Sequence, residues 1–328
     1  MAKLKKQHMT IHWKAIVQDD SSIPATEATL KEKATLVGRI GLMMLSVGTG
    51  AWRVRNSMNK VARCLGITCT ADIGLLAISY TCIEGTDTYT QSISNPTTGV
   101  NTHKLMQLEL FMKEFPDKVS TYSVKHIHEV LDEIQKLPAN YKAWNLGLAS
   151  ALACGAFTFL LGGGPVEMCC AFLGAGVGNF VRKKMLGHSI SLLANVAVSV
   201  AASCLVYVLT ILLAQSLLSV SAVHQAGYIC AMLFVIPGFP LITGGIDLAK
   251  LDLRSGLERV SYALLIILTA TMTGWATAAI CQFQPADFEP LQLQKWTLLC
   301  FRLITSFCGV YGFSLMFNSP RKMAFTVA

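Results

Sequence analysis

Long apolar segments separated by short polar loops fill the second half of the chain. They run over residues 144–161, 166–181, 189–214, 226–246, 260–281 and 296–317. Each is near the roughly 17–25 residues that a helix needs to cross a bilayer, the second being the shortest. Six such runs leave too little polar surface to cover them in a soluble protein, so the pattern predicts about six transmembrane helices.

Basic residues are unevenly distributed among the loops between these segments. The loops at 182–184 and 247–259 and the stretch after residue 318 each carry two or more Lys or Arg residues, whereas the loops at 162–165 and 215–225 carry none. Lys and Arg favour the cytoplasmic side of a membrane. The alternation therefore predicts a multi-pass protein of the plasma membrane with its N-terminal part and its chain end inside the cell.

The first half of the chain is more polar and alternates between two kinds of pattern. Apolar residues at helical spacing predict a helix over 35–66, interrupted at Gly48-Thr49-Gly50. Residues 73–82 and 87–94 are rich in β-branched and aromatic residues and predict two strands with a turn near Glu84-Gly85. Two further amphipathic helices are predicted over 101–115 and 123–137, separated by Pro116.

The predicted fold class is an α-helical polytopic membrane protein with a small N-terminal cytoplasmic α+β domain. We expect a flexible tail over 1–34, the cytoplasmic domain over 35–142, a five-helix membrane domain over 143–283, and a loop with the first helix of a second membrane half over 284–328. The lipid bilayer is the first partner that this organisation implies.

Composition narrows the class of protein further. Of the 328 residues, 53% are hydrophobic and only 14% are charged, against roughly 25% charged in an ordinary soluble protein. This excludes a disordered chain and, despite a formal net charge of +8, argues against a nucleic-acid partner. Of the 27 Lys and Arg residues, 17 precede residue 143, as do 13 of the 19 Asp and Glu residues.

No group of residues predicts a metal or a cofactor. The eleven cysteines form no CxxC pair and no zinc-like cluster with histidine, and most of them lie in apolar runs, so we expect reduced, structural thiols. His126, His128, Glu129 and Asp132 are close in sequence, but positions 126 and 128 face different sides of a helix, which favours a solvated face. The basic run from Arg53 to Arg63 is likewise expected to be a solvated face, with anionic lipid or an acidic ligand as the alternative.

Two stretches resemble the threonine/serine exporter family. The first begins Gly48-Thr49-Gly50-Ala51-Trp52-Arg53-Val54-Arg55 and ends Ala62-Arg63-Cys64-Leu65-Gly66. The second is Val235-Ile236-Pro237-Gly238-Phe239-Pro240-Leu241, followed by Gly245, Asp247, Asp252, Ser255-Gly256-Leu257 and Arg259. This chain departs from the family where it has Gly50, Arg55 and Asn56, since acids often stand there, and no role of those acids carries over.

The resemblance also implies a missing part. Complete members of the family have about ten membrane helices, in one fused chain or two partner chains, whereas this chain has six predicted spans. The sixth segment, with Cys308-Gly309-Val310-Tyr311-Gly312-Phe313, is similar to the first, with Cys154-Gly155-Ala156-Phe157. Since the two would run in opposite directions, they suggest an inverted repeat; chance similarity is the alternative. The partner would then be a second membrane subunit that supplies the other half, or further copies in a homo-oligomer.

The fourth apolar segment is the strongest candidate for a solute site. Pro237 and Pro240 lack amide hydrogens, so the carbonyls of Leu233 and Ile236 are expected to lose their helical donors. Transporters bind solutes at such broken helices, where a half-helix N-terminus attracts a carboxylate and freed carbonyls accept from an ammonium group. Pro237, Gly238 and Pro240 are therefore substrate candidates; the alternative is a packed proline kink.

Three charged residues of the membrane part are further candidates for substrate binding or coupling. Asp247, at the end of the fourth segment, could take a proton or gate the exit, or be a charge of the adjoining loop. Glu167 could accept a proton or be an interfacial acid, and Arg302 lies inside the sixth segment, where a charge indicates function unless it extends to the interface. Asn179 and Asn195 are expected either to line a cavity or to bond between helices.

These features favour a secondary transporter that exports small hydrophilic solutes. The resemblance implies threonine or serine, with a dicarboxylate such as succinate as the alternative, and a non-transporting regulatory subunit as another. No Gly-x-x-x-x-Gly-Lys-Ser/Thr motif is present, so the proton gradient is the expected energy source. The chain also has no Gly-x-Ser-x-Gly or His-Glu-x-x-His motif, which argues against an enzyme.

Overall fold

The computed structural model describes residues 11, 13, 23–95, 99–186, 188, 190–218, 226–283, 288 and 291–328. Most of the expected tail and of the loop at 215–225 lies outside the described residues. The chain forms two compact units: unit 1 is residues 1–138 with 238–262, and unit 2 is residues 139–237 with 263–328. Residues 238–262, which the hydropathy pattern places in the fourth and fifth apolar segments, thus pack with the N-terminal part.

Unit 1 holds a sheet and most of the shorter helices. Its elements are α1 (Leu30–Ser46), α2 (Ala51–Cys64), β1 (Thr68–Ile73), β2 (Ala77–Glu84), β3 (Asp87–Ser94), α3 (Thr102–Lys118), α4 (Val124–Lys136), α9 (Gly238–Ala249) and the beginning of α10 (Leu253–Ile280). The sheet is antiparallel in the order β1-β2-β3. The small α+β domain that the pattern predicts is therefore present, with one strand more than expected.

The extra strand corrects the expected strand over 73–82. That range contains the end of β1 and most of β2, which are separated at Gly74 and pair with Ile73 opposite Ile78. The turn at Glu84-Gly85 joins β2 to β3 as expected, and Gly85 has a φ of 60°, which favours glycine. The turn at Gly74 could not be recognised from the sequence, because the residues on both sides of it favour β-strands and resemble one continuous strand.

The predicted interruption at Gly48-Thr49-Gly50 separates α1 from α2. Thr29 begins α1 with a capping box, accepting from the Glu32 amide while the Glu32 carboxylate accepts from the Thr29 amide. Gly48 has a φ of 94°, and a Cβ there would lie 2.9 Å from the Gly99 carbonyl oxygen, so only glycine fits the bend. All nine apolar positions that define the helical pattern are buried: Leu36, Ile40, Met43, Met44, Val47, Val54, Met58, Val61 and Leu65.

Pro116 does not end the third helix, contrary to expectation. Helix α3 continues through Pro116 to Lys118, and the chain leaves it only before Ser123, whose side chain accepts from the His126 amide to begin α4. Pro116 lies within three residues of the end of α3. The helix therefore loses one hydrogen bond near its end but is not broken.

Unit 2 is helical in its described part. Its elements are α5 (Ala143–Leu160), α6 (Pro165–Met185), α7 (Leu192–Leu218), α8 (Tyr228–Ala231), a 3₁₀ turn (Leu233–Val235), the later part of α10, α11 (Lys295–Met316) and α12 (Arg321–Val327). Helix α5 packs against α6 and α11, and α6 packs against α7. The short helix α12 is not signalled by the apolar pattern, because it is too short to span a bilayer.

Four of the described helices are long and apolar enough to cross a membrane. They are α5, α7, α10 and α11, and α8 with α9 makes a fifth if that broken pair counts as one span. Helix α6 is long enough, but it is not among these candidates; it ends in Arg182, Lys183 and Lys184. The structure thus supports a membrane protein with four or five apolar spans, while the sixth span and the inverted repeat remain predictions.

Candidate functional site

The fourth apolar segment is interrupted where its prolines predict. Helix α8 ends at Ala231, and the 3₁₀ turn that follows it ends at Val235. The next two residues, Ile236 and Pro237, are not helical, and α9 begins at Gly238. Pro240 is not part of the break: it is the third residue of α9, where a missing amide hydrogen costs little because first-turn amides have no helical acceptor. Of the two prolines, only Pro237 therefore lies at the interruption itself.

The carbonyls before the break have partners inside unit 2. The Leu233 carbonyl has no amide donor at position 237 and accepts instead from the Ile236 amide at 3.1 Å. The Phe234 carbonyl accepts from Arg182 Nη1 at 3.2 Å, and the Ala231 carbonyl accepts from Ser203 Oγ at 2.8 Å. Side chains of α6 and α7 therefore replace helical donors in the interrupted segment.

Asp247, near the end of α9, is the centre of a buried polar cluster in unit 1. Its side chain is fully buried. Asp247 Oδ2 accepts from the Ala51 amide at 3.0 Å and from Ser255 Oγ at 2.9 Å, and lies 3.2 Å from Arg259 Nε. Arg259 also donates from Nε to Ser255 Oγ at 3.1 Å and from Nη2 to the Thr49 carbonyl at 2.7 Å. We call Thr49, Ala51, Asp247, Ser255 and Arg259 the Asp247 cluster.

The cluster explains why glycine precedes helix α2. Ala51 is the first residue of α2, so the Asp247 carboxylate lies where the orphan amides and the positive end of the helix dipole favour a negative charge. A Cβ at Gly50 would lie 3.0 Å from Asp247 Oδ1. A larger residue at position 50 would therefore crowd the carboxylate.

The Asp247 cluster unites the two stretches that resemble the exporter family. Thr49 and Ala51 come from the first stretch, and Asp247, Ser255 and Arg259 come from the second. About 200 residues separate them in the chain, so the sequence could single out Asp247 as a candidate but could not identify Arg259 and the α2 amide as its partners. The signal that was available is the four-residue spacing of Ser255 and Arg259, which puts both on one face of α10.

Basic residues around the cluster are paired within unit 1. Arg55 lies 2.6 Å from Asp252, Arg53 pairs with Glu109, and Lys250 Nζ lies 4.3 Å from the centre of the Trp52 ring. Arg53 and Arg55 of the basic run on α2 therefore pair with acids of unit 1 and do not contact solvent alone.

The beginning of α10 is held against the sheet of unit 1. Arg254 pairs with Asp72 of β1, and the Glu258 carboxylate accepts from the Leu75 amide at 2.6 Å. Together with Asp252 and Lys250, these contacts fasten residues 247–259 to α2 and β1.

Glu167 and Arg302 lie in different surroundings from Asp247 and from each other. Glu167 is 3% exposed and its Oε2 accepts from the Gly164 amide at 2.9 Å, so it caps the beginning of α6. Arg302 is exposed on α11, and its guanidinium makes no hydrogen bond or ion pair with the part of the chain that the structure describes. Neither residue belongs to the Asp247 cluster.

The expected solvated face of α4 holds for His126 and Glu129, which are exposed, but not for His128, which is buried. Among the described residues, no group of three or more His, Cys, Asp or Glu side chains could hold a metal ion. His126 lies 3.8 Å from Glu129 on the exposed side, whereas His128 is buried with Arg39, whose Nη1 lies 2.9 Å from His128 Nδ1. Burial and the Arg39 charge lower the pKa of His128 to about 4.

Two known proteins that are similar to this chain are named as transporter subunits. The "Probable succinate transporter subunit YjjP" of Klebsiella aerogenes is 25% identical over 236 residues, which are 71% of this chain and 87% of that protein. The protein of the same name in Escherichia coli K12 is 24% identical over 235 residues, 71% of this chain and 88% of its own length. No solved structure matches the chain.

The family comparison covers most of the chain. The family described as "Putative threonine/serine exporter" matches residues 35–281, a range that includes both stretches of the Asp247 cluster and the interrupted segment. The chain therefore belongs to the threonine/serine exporter family.

Proposed function

We propose that this chain is a subunit of a secondary transporter in the cell membrane that exports small hydrophilic solutes, threonine and serine first. Its family and the transporter names of its relatives support a membrane transporter. The relatives are named as subunits, which supports a second membrane subunit as partner. In this proposal the N-terminal part and the end of the chain face the cytoplasm.

The Asp247 cluster is the observation that carries this proposal. A fully buried carboxylate and a buried guanidinium follow directly after an interrupted apolar segment. Burying two charges costs several kcal/mol per ion unless they are paired and hydrogen-bonded, as they are here. Buried charged clusters in membrane transporters mark proton and substrate pathways, so we assign proton coupling to Asp247 and its partner Arg259.

The geometry supports a coupling role in which the ionised Asp247 carboxylate holds α9 against the beginning of α2. Ionised Asp247 attracts the Ala51 amide, the Ser255 hydroxyl and Arg259. A proton on the carboxylate would cancel the charge that holds Arg259 and the beginning of α2. The other charged groups around the cluster include Lys250, which directly follows α9, the Arg55–Asp252 pair and Glu258. Proton binding would therefore release α9 from α2 and couple the proton gradient to a movement of the segment that follows Pro237.

Export of a dicarboxylate is the second candidate. Its support is the printed name of the two relatives, which are called succinate transporter subunits. Efflux of labelled threonine and of labelled succinate, measured in parallel from cells that carry the chain with its partner subunit, separates the two solutes. Export of neither solute, with the protein present in the membrane, would overturn the transport proposal.

The coupling role of Asp247 is tested by Asp247→Asn in the same cells. This change keeps the size of the side chain and removes its charge, and we expect export to fall by about tenfold or more, which corresponds to about 1.4 kcal/mol. Asp72→Asn is the matched control, because Asp72 is an exposed acid that also pairs with an arginine. Normal export with normal pH dependence in Asp247→Asn would exclude a coupling role.

A further inference from the structure

Two buried asparagines bond between helices at one end of unit 2. Asn179 on α6 and Asn195 on α7 are 0% and 2% exposed. Asn179 Nδ2 donates to the Leu146 carbonyl of α5 at 2.8 Å, and Asn195 Nδ2 donates to the Arg182 carbonyl of α6 at 3.2 Å. Leu146 is near the beginning of α5, Arg182 near the end of α6 and Asn195 near the beginning of α7, so all of these contacts lie at the same end of the unit.

These bonds determine which way each amide group points. An amide that was turned over would place its oxygen against a backbone carbonyl oxygen, which repels it. Both Nδ2 atoms must therefore face the carbonyls, and both Oδ1 atoms must face away from them. This assignment rests on the hydrogen-bond network and holds for each asparagine separately.

Both amide oxygens are left without a donor. Asn179 Oδ1 and Asn195 Oδ1 are buried and have no hydrogen-bond partner in the part of the chain that the structure describes. A buried acceptor without a partner costs about 1–3 kcal/mol, and in an apolar membrane unit water cannot reach it freely. The two oxygens cannot satisfy each other because both are acceptors, so whatever satisfies them must donate hydrogen bonds.

Residues next to Asn179 in α6 contact the interrupted segment. Arg182, which supplies the carbonyl for Asn195, lies one helical turn after Asn179 and donates from Nη1 to the Phe234 carbonyl. At Gly178, beside Asn179, a Cβ would lie 2.8 Å from the Phe234 ring. The asparagines are thus on the helices that hold the segment before Pro237, next to a positive charge.

We propose that the Oδ1 atoms of Asn179 and Asn195 bind the ammonium and hydroxyl donors of the transported solute. This proposal rests on the transport function proposed above and narrows its substrate class. Threonine and serine carry an ammonium group and a hydroxyl group, which are the donors that the two oxygens lack. A fully ionised dicarboxylate offers only acceptors, which the two amide oxygens would repel.

The test measures solute binding to the purified full-length chain together with its partner subunit. Asn179→Leu and Asn195→Leu remove the amide oxygens and keep a similar volume, and we expect each to weaken threonine binding by about tenfold or more, since hydrogen bonds to a charged group are the stronger kind. Ser150→Ala is the matched control. Ser150 is also fully buried between helices, but its hydroxyl only donates to the Gly147 and Ala175 carbonyls.

A second measurement needs no variant and covers the case in which a leucine variant does not fold. On the wild-type complex, unlabelled serine should displace labelled threonine, whereas 3-hydroxybutyrate, which lacks the ammonium group, and succinate should compete at least about tenfold less well. Unchanged threonine affinity in both folded leucine variants, an equal loss in Ser150→Ala, or equal competition by succinate would overturn the proposal. Transport by the wild type with unaffected variants would overturn only this proposal, whereas absence of any transport would overturn the function itself.

Discussion

Two arginines in unit 1 are buried, and each is held by several acceptors. Arg39 donates to the His128 carbonyl at 2.9 Å and to Gln135 at 3.2 Å and pairs with Asp132, while Arg259 is held by the Asp247 cluster. Removing one partner of a buried charge typically destabilises a protein by about 3–5 kcal/mol. Each arginine therefore fastens elements that are far apart in the chain, α1 to α4 and α10 to the bend before α2.

His128 should make the stability of the chain depend on pH. Its pKa is about 4 in the folded chain against an ordinary value of 6.5, because burial and Arg39 disfavour the proton. Between these values the unfolded chain binds a proton that the folded chain does not, so the free energy of unfolding should fall as the pH drops from 6.5 to 4, by up to about 3 kcal/mol. Above pH 6.5 this contribution is constant.

The measurement compares thermal unfolding midpoints of the detergent-solubilised chain at pH 7 and pH 5. The loss of stability between these two values should be smaller in His128→Gln than in the wild type, since glutamine does not titrate. His126→Gln is the control because His126 lies on the exposed side of the same helix. An equal pH effect in the wild type and in His128→Gln would contradict the prediction.

At the element scale, the interruption before α9 depends on Pro237 rather than on both prolines. An alanine at position 237 supplies an amide hydrogen for the Leu233 carbonyl and favours a continuous helix by about 3 kcal/mol. Pro237→Ala should therefore reduce solute export. Pro240→Ala should change export little, because position 240 is in the first turn of α9. Equal effects of the two variants would mean that the break itself is not needed.

Helix α11 depends on close approach to α5 at Gly312. A Cβ at this position would lie 2.5 Å from the Ala149 carbonyl oxygen and 2.9 Å from the Ala153 Cβ, and neither neighbour is the end of a flexible side chain. Gly312→Ala should therefore destabilise the chain by about 1–3 kcal/mol, as overpacking of a close contact does, and lower its thermal midpoint in detergent.

Gly245→Ala is the control for Gly312→Ala. Both glycines are inside helices, but a Cβ at Gly245 meets no atom within 4 Å. Alanine also has the better helix propensity, so Gly245→Ala should leave the midpoint unchanged or raise it slightly. An equal fall in both variants would show that the loss at Gly312 comes from the backbone and not from the contact with α5.

The sequence predicted local features of the elements better than their partners. Helical periodicity identified α1, α2 and their interruption, because nine apolar residues on one face are enough to indicate a buried helix. The turn at Gly74 was missed, since β1 and β2 form one continuous β-rich run. The Asp247 cluster joins residues about 200 positions apart, and no periodic pattern within either stretch records that contact.

For the whole molecule, hydropathy predicted a membrane protein but not the grouping of its parts. The apolar runs of α5, α7, α10 and α11 are long enough to be recognised by composition alone. Residues 238–262 group with unit 1 because Asp247, Arg254, Glu258 and Arg259 make polar contacts there, and such contacts are invisible to an average over apolar side chains. The charged residues inside or beside the apolar runs thus determine which unit residues 238–262 pack with, and hydropathy does not record this.

The orientation of the chain in the membrane is the prediction on which a role in export depends. The loop at 182–184 has three basic residues, and the loop before α11 has only Lys295 at its edge, so the first should be cytoplasmic and the second external. The test uses two variants, Lys184→Cys and Gln292→Cys, and both positions are exposed. Each variant is made in a chain whose exposed Cys169 and Cys300 are replaced by serine. In intact cells a membrane-impermeant thiol reagent should label position 292 and not position 184, whereas in opened cells it should label both. Labelling of position 184 in intact cells would show the opposite orientation and would contradict the proposed cytoplasmic location of the N-terminal part.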